Sequence, residues 1–188
     1  DEIQEYLSER LAHAQLRERL GRFRQTKRIF PVVLKGVSNI MDNRTFALVI
    51  ERAVKQALQQ QQVRLSTPSD FEKMAAQIAH EMVNVDKLIA DHPELACYVV
   101  DKDDLLNRLQ GQDIDIFRTV EIILSQRGIH FSHDNISIWL TQVAGELQKQ
   151  GLAHTLMLFW DEFTNLLELG AAKELLTELQ HVAELSVS

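Results

Sequence analysis

The chain has 188 residues, of which 45% are hydrophobic and 25% are charged, and this balance predicts a soluble globular protein with one sizeable core. Its 20 basic and 27 acidic side chains give a formal net charge of −7, which argues against a surface built mainly to hold nucleic acid. A single cysteine excludes an internal disulfide, and no apolar stretch approaches the roughly 18 residues of a spanning helix, so we expect a cytoplasmic protein without membrane insertion.

The first third of the chain predicts a short strand between two helices. Apolar residues recur every three to five positions over residues 3–23, as in an amphipathic helix. The run Ile29–Leu34 is too short for a helix and rich in β-branched residues. It therefore predicts a buried strand that tolerates Pro31 near its start or at an edge. Asp42 or Asn43 is a suitable N-cap for the helix that follows.

The middle of the chain predicts helices only. Ser69 and Glu72 form a capping box, which begins a helix whose apolar pattern continues until His92-Pro93 stops it. Shorter helices are predicted at residues 103–109 and 114–126. We interpret the residues from about 66 to 128 as an all-helical insertion.

The last third of the chain predicts a helix, an apolar run and a final helix. Ser132 or Asp134 can cap the first of these helices, which Gly151 terminates. The run that follows is Leu156-Met157-Leu158-Phe159-Trp160-Asp161-Glu162, in which five apolar residues precede two acids. Apolar residues repeat at helical spacing once more over residues 171–185.

The apolar run has two interpretations. A central strand of a parallel sheet is buried on both faces, so its sequence is continuously apolar, and acids directly after it lie at the ligand-binding edge of the sheet. A buried helix over residues 152–169, with both acids on its wet side, also fits the spacing. We favour the strand, because Met157 and Leu158 cover the other faces of such a helix and Gly151 interrupts the chain just before the run.

The elements follow in the order helix, strand, several helices, strand, helix. This order predicts one α/β domain over residues 1–188, predominantly helical, with a partial parallel sheet that gains strands through helical crossovers. The chain begins at Asp1 rather than at Met and stops at Ser188 directly after a helical pattern, so we expect it to be part of a longer protein.

The segment from Leu156 to Glu162 resembles the Walker B motif of P-loop NTPases, in which an apolar strand ends in Asp-Glu. The resemblance implies an incomplete P-loop-type sheet, with ATP and Mg²⁺ as the ligands. It also implies that Asp161 holds Mg²⁺ through a water molecule. Glu162 would be the catalytic base that orients and deprotonates the water attacking the γ-phosphate.

The layout of the chain is similar to the stretch between Walker A and Walker B in large bacterial antiviral ATPases, such as the BREX (bacteriophage exclusion) family. The shared order is a strand and helix, an insertion, a helix like Ile138-Trp139-Leu140, an apolar run ending in Asp-Glu and a Leu-rich helix like Leu175-Leu176-Thr177-Glu178-Leu179. The resemblance implies an ATPase that drives conformational change in anti-phage defence. Other subunits or protomers of a larger assembly would be its partners.

The sequence departs from the P-loop pattern at the phosphate-binding loop. Residues 1–188 contain no Gly-x-x-x-x-Gly-Lys-Ser/Thr sequence, whose backbone amides and lysine hold the phosphates. We therefore expect this chain alone neither to bind nucleotide tightly nor to hydrolyse it. The alternative function is a non-catalytic helical module for protein interaction.

Six basic residues lie close together before the first strand. They are Arg17, Arg19, Arg22, Arg24, Lys27 and Arg28. A solvated helix end accounts for such a run. The functional alternatives are contact with the backbone of a nucleic acid, or an arginine that acts on the nucleotide of a neighbouring subunit.

Overall fold

The computed structural model describes residues 28–34, 40, 42–80 and 83–161, together with residues 18, 19, 21, 22, 177 and 180. This part of the protein is mostly helical, with a small parallel sheet of two strands. The strands are β1 (Ile29–Leu34) and β2 (Thr155–Trp160). The helices between them are α1 (Asn43–Gln60), α2 (Asp70–Ala79), α3 (Val85–Asp91), α4 (Pro93–Ala96), α5 (Lys102–Gln110), α6 (Ile114–Gln126) and α7 (Ile136–Lys149).

The two strands pair in parallel although more than a hundred residues separate them. Ile29 is opposite Thr155 at one end of the sheet, and Leu34 is opposite Trp160 at the other. Parallel strands need a long crossover, and α1 to α7 provide it. Both predicted strands are therefore confirmed, and the alternative of a helix through residues 155–160 is wrong.

One face of the sheet builds the first hydrophobic core. The side chains of Phe30, Val32 and Leu34 are buried there, and those of β2 on the same face pack against α1 and α7. We call this group the sheet cluster. Its buried members are Phe30, Val32, Leu34, Ile40, Phe46, Ala47, Val49, Ile50, Val54, Ala57, Leu58, Ile136, Trp139, Leu140, Val143, Leu147 and Ala153.

The opposite face of the sheet is partly exposed, whereas we expected strands buried on both faces. Val33 of β1 is 50% exposed and Phe159 of β2 is 47% exposed. The physical reason is that α1 and α7 pack on the same face, so the described residues bury only the side chains that alternate toward that face.

A second hydrophobic core lies among the helices from α2 to α6. We call it the helical cluster, and its aromatic centre is Phe71, whose ring lies edge-on to Phe117 at a centroid distance of 5.1 Å. The first core helix, α1, contributes Leu48 to this cluster while Phe46 and Ile50 belong to the sheet cluster. Residues 66–128, interpreted from the sequence as a helical insertion, thus supply most of a core that α1 joins to the sheet.

The helix predicted from Ser69 to His92 is in fact two helices. Its beginning is as predicted, because Ser69 Oγ accepts the Glu72 N–H at 3.3 Å and the Glu72 carboxylate accepts the Ser69 N–H at 2.7 Å. Helix α2 ends at Ala79, and Asn84 begins α3 by accepting the Lys87 N–H at 2.9 Å. Asn84 is a second N-cap inside one apolar pattern, and the pattern conceals it.

The N-cap of α7 also differs from both predicted residues. Asn135 caps this helix, with its side-chain oxygen accepting the Ser137 N–H at 2.8 Å. The Asp134 carboxylate instead accepts a hydrogen bond from Lys73 Nζ at 2.7 Å. A charged partner from α2 therefore removes Asp134 from the capping role.

None of the described helices combines the length and the hydropathy that a membrane-spanning segment requires.

Candidate functional site

Asp161 lies directly after β2, at the carboxyl ends of both strands. Its backbone N–H donates to the carbonyl of Leu34 at 3.0 Å, which extends the pairing of the sheet by one residue. The Asp161 side chain is exposed and makes no hydrogen bond or ion pair with the described part of the chain. The sheet thus fixes the backbone of Asp161 and leaves its carboxylate available to a ligand.

An aromatic pair holds the end of β2 against α1. The rings of Trp160 and Phe46 stack at a centroid distance of 5.8 Å and an interplanar angle of 11°. Phe46 is fully buried and lies in the first turns of α1, so the N-terminus of this helix is at the same end of the sheet as Asp161. This packing fixes Trp160, the residue next to Asp161, against a rigid element.

Asp42 is a second acid at the N-terminus of α1. Its carboxylate accepts hydrogen bonds from the Thr45 N–H and from Arg118, both at 2.6 Å. Burial by itself would raise the pKa of Asp42, but the hydrogen bonds from Thr45 and the charges of Arg118 and Arg44 outweigh burial and lower the pKa. Asp42 is therefore a committed cap and ion-pair partner, unlike the free carboxylate of Asp161.

A buried ionic cluster lies beside the N-terminus of α1, between the sheet cluster and the helical cluster. At its centre the Asp70 carboxylate, only 1% exposed, accepts hydrogen bonds from Arg44 at 2.5 Å and from Lys73 at 3.0 Å. Arg44 also pairs with Glu121 at 3.0 Å and lies over the ring of Phe117 at 4.9 Å. These contacts connect the first turns of α1 and α2 to α6.

Glu51 is the member of this buried region that the sequence interpretation missed. Its side chain is 2% exposed and accepts the Asp70 N–H at 2.8 Å. Burial, reinforced by the negative charge of Asp70, raises the pKa of Glu51 to about 8, so the carboxyl group is mostly protonated at neutral pH. One signal was present in the sequence, because Glu51 is the only acid in α1 and follows the apolar pair Val49-Ile50.

Most of the other predicted site residues lie outside the described part of the chain. The predicted catalytic base, Glu162, lies outside the described residues. So do three members of the basic run, Arg17, Arg24 and Lys27. Arg19 and Arg22 are exposed on helical backbone, and Arg22 pairs with Glu18.

Arg28, the last member of the basic run, lies at the opposite end of the sheet from Asp161. It precedes β1, and its guanidinium donates to the carbonyl of Gly151 at 3.2 Å. Its backbone N–H donates to His154 Nδ1 at 3.0 Å. Arg28 therefore joins the start of β1 to the residues between α7 and β2.

The acids of the described chain do not form a metal site by themselves. No group of three or more His, Cys, Asp or Glu side chains among the described residues is placed to hold a metal ion. A single free carboxylate still suits Mg²⁺, because this ion keeps several waters and is usually held by one or two carboxylates together with substrate phosphates. Asp161 has that character.

A cavity of about 390 Å³ lies beside β1 and α1. Its walls include Val33 and Leu34 near the carboxyl end of β1, and one side of α1, but not Asp161.

Searches against protein families, curated proteins and solved structures found no match to this chain. Function must therefore be inferred from the chemistry of the residues themselves.

Proposed function

We propose that this chain is part of the core of a P-loop ATPase, with β2 and Asp161 as its Walker B segment. The single observation that carries the proposal is the parallel strand β2, which ends in an acid whose carboxylate has no partner in the described chain. In open α/β sheets, ligands bind beyond the carboxyl ends of parallel strands. Asp161 occupies such a position.

The surroundings of Asp161 support a role in positioning a ligand. Its N–H is fixed by the carbonyl of Leu34, and its neighbour Trp160 is stacked on Phe46. A carboxylate on a rigid element can hold a hydrated ion in one place. A carboxylate on a mobile element would first have to be ordered, and the entropy lost in ordering it would weaken binding. The free acid therefore lies where the sheet can orient it.

In the proposed ATPase, Asp161 would hold Mg²⁺ through a water molecule. The ion would supply neutralising charge to the phosphate oxygens of ATP. Glu162, the next residue, would accept a proton from the attacking water and orient that water toward the γ-phosphate. The two adjacent acids thus have separate tasks.

A phosphate-binding loop must come from outside these 188 residues, since they contain no Gly-x-x-x-x-Gly-Lys-Ser/Thr sequence. We expect a longer chain, or an assembly with other subunits, in which ATP hydrolysis drives conformational change. The resemblance to the BREX family extends the proposal to bacterial anti-phage defence. Arg19 and Arg22 are exposed and would be the described residues of the basic run that contact nucleic acid or a neighbouring protomer.

The test uses the full-length protein that contains this chain and a phosphate-binding loop. Glu162→Gln should keep nucleotide bound and slow ATP hydrolysis by about 10²-fold or more. Asp161→Asn should lower the affinity for ATP in the presence of Mg²⁺ by about tenfold or more. The control is Asp86→Asn, which removes an exposed acid of α3 and should change neither quantity.

Unchanged hydrolysis in both site variants, or the lack of any phosphate-binding loop in the full-length protein and its partners, would contradict the ATPase proposal. The alternative of a non-catalytic interaction module would then be preferred. One observation favours that alternative, because the cavity beside β1 is lined by α1 rather than by Asp161.

A further inference from the structure

The cavity beside β1 is a groove along the free edge of the described sheet. Residues from both faces of β1 line it, Pro31 and Val33 from the outer face and Leu34 from the inner face. Residues from both faces of a strand can meet a single cavity only at the edge of that strand. In the described sheet this edge is the one that β2 does not occupy. We call the cavity the edge groove.

The backbone of β1 presents hydrogen-bonding groups to the edge groove. The Leu34 carbonyl accepts the Asp161 N–H, so the backbone groups of Leu34 and of alternate residues before it point toward β2. Those of Pro31 and Val33 consequently point to the groove side. Pro31 has no N–H, and a proline in a sheet belongs at such an edge. Val33 retains both its donor and its acceptor.

The opposite wall of the edge groove is a polar stripe of α1. Arg52, Gln56 and Gln60 line it at intervals of four residues. None of these three side chains makes a hydrogen bond or ion pair with another residue of the described chain. Arg52 is partly buried, and among the described residues it is the only charged one that lines the cavity. The wall therefore has one uncompensated positive charge and two amides that can both donate and accept.

The spacing of the polar stripe matches the repeat of an extended polypeptide. Residues four apart on a helix are separated by ~6 Å along its axis. Every second residue of an extended chain repeats at ~6.6 Å and presents its backbone groups in the same direction. A peptide that lies in the groove would therefore meet a new polar side chain of α1 at every second residue.

We propose that the edge groove binds an extended peptide of a partner protein, with an acidic side chain of that peptide paired to Arg52. Its backbone amides hydrogen-bond to Gln56 and Gln60 on one side and to the free edge of β1 on the other. The half-exposed side chain of Val33 contacts an apolar side chain of the peptide. This mode of binding combines strand addition with one charged anchor.

Charge selects this occupant over a second copy of the chain. Two copies facing each other would bring Arg52 against Arg52, whereas the acidic side chain of the peptide pairs with Arg52. The net charge of −7 repels an acidic partner at long range, but at physiological salt the Debye length is about 8 Å, so Arg52 dominates at contact distance.

The test measures binding of a Thr-Val-Glu-Val-Thr-Val-amide peptide, labelled with fluorescein at its N-terminus, to the purified protein by fluorescence anisotropy. We expect saturable binding that Arg52→Gln weakens by about tenfold. The matched control is Lys87→Gln, which removes one charge from an exposed site on α3 and should leave binding unchanged. A peptide with Lys in place of Glu should bind the wild-type protein at least about tenfold more weakly.

A second variant keeps the test independent of any folding defect at Arg52. Gln56→Glu places an acid on an exposed position in the groove, so it should weaken binding of the Glu peptide and strengthen binding of the Lys peptide. Equal binding of the Glu peptide to wild type and Arg52→Gln would overturn the proposal. So would displacement of the peptide by sodium acetate at equal concentration, which indicates a site for a small anion. Self-association that Arg52→Gln strengthens would instead assign the groove to a second copy, because that variant removes the repulsion between the two arginines.

Discussion

The sheet cluster and the helical cluster are similar in size but are stabilised over very different distances along the chain. The helical cluster is built from consecutive helices, and all of them except α4 begin with a side-chain N-cap such as Ser69 or Asn84. The sheet cluster depends on β1 and β2, and the bond from the Arg28 N–H to His154 spans 126 residues. Local signals therefore specify the helical region, whereas the candidate site requires a contact that no local pattern contains.

The two regions also differ in where their exposed apolar side chains lie. In the helical region these are Tyr98, Val100 and Ile122, whereas the sheet pairs Val33 with Phe159 on its outer face and has a groove at its free edge in the described chain. The buried ionic cluster lies between them and includes Asp70. Function in this molecule is thus proposed for the sheet region, and the following experiments measure how strongly the helical region and the ionic cluster support it.

Removing Arg44 should have the largest effect, because this side chain joins α1 to α2 and α6. Arg44→Met leaves the buried Asp70 carboxylate with Lys73 alone, and we expect the free energy of unfolding to fall by about 3–5 kcal/mol. Urea denaturation at pH 7 measures the change. The control is Arg127→Met, which breaks a surface pair with Asp91 and should lose less than about 1 kcal/mol. Equal losses would show that the ionic cluster does not hold the regions together.

Shortening Leu48 should separate the contributions of α1 to the two cores. Leu48 is fully buried in the helical cluster, although its neighbours Ala47 and Val49 belong to the sheet cluster. Leu48→Ala should lower the free energy of unfolding by about 3 kcal/mol through lost burial and the remaining cavity. Ile138→Ala, on the exposed side of α7, should change it by less than about 0.5 kcal/mol. Retained near-UV ellipticity of the two tryptophans, Trp139 and Trp160, which both belong to the sheet cluster, would indicate that this cluster tolerates the loss.

Neutralising Glu51 should stabilise the protein and alter its pH dependence. The pKa of Glu51 is raised to about 8 when folded, so the folded state binds more protons than the unfolded state between about pH 4.5 and 8. Stability from this group is then greatest below pH 4.5 and falls as pH rises to 8, with a slope of at most ~1.4 kcal/mol per pH unit. Glu51→Gln can still accept the Asp70 N–H, and we expect a gain of about 3 kcal/mol at pH 7.

Denaturation of wild type and Glu51→Gln at several pH values tests this expectation. The two curves should converge near pH 4.5 and diverge steadily toward pH 8. A constant difference between wild type and Glu51→Gln at every pH would contradict the protonated state of Glu51.

The sequence predicted the elements whose signals are local. The strand Ile29–Leu34 and helix 114–126 have the predicted bounds, and Asp42 and Ser69 are caps as expected. The position of Asp161 at the end of a strand also followed from the apolar run before it. In each case, neighbouring residues contain the information that the structure uses.

Features that depend on distant partners could not be predicted in the same way. Asp134 does not cap α7, because Lys73 binds its carboxylate from 61 residues away. Arg28 belongs to a basic run in sequence, but the pairing of the strands brings its guanidinium to Gly151. The burial of Glu51 likewise depends on α2, which packs over a position that an isolated helix would expose. The role of Glu162 stays a prediction.

The smallest effect is expected from Glu146, which attaches α7 of the sheet cluster to the loop that leads into the helical region. Its carboxylate accepts four hydrogen bonds, from the backbone N–H and the hydroxyl of both Ser66 and Thr67, at 2.6–3.0 Å. These bonds lower the pKa of Glu146 to about 2, with the backbone N–H of Ser66 the largest contribution. The stabilisation is therefore complete above about pH 4.5 and is lost as pH falls toward 2.

Because solvent screens this carboxylate, Glu146→Gln should lower the free energy of unfolding at pH 7 by only about 1 kcal/mol. The indole N–H of Trp139 donates to the carbonyl of Pro68 at 2.9 Å and still holds the loop to α7 in this variant. Amide hydrogen exchange at Ser66 and Thr67 should accelerate, while exchange within α6 should not. Faster exchange throughout α6 would mean that this loop also stabilises the helical cluster, and the two regions would then be less independent than their separate cores indicate.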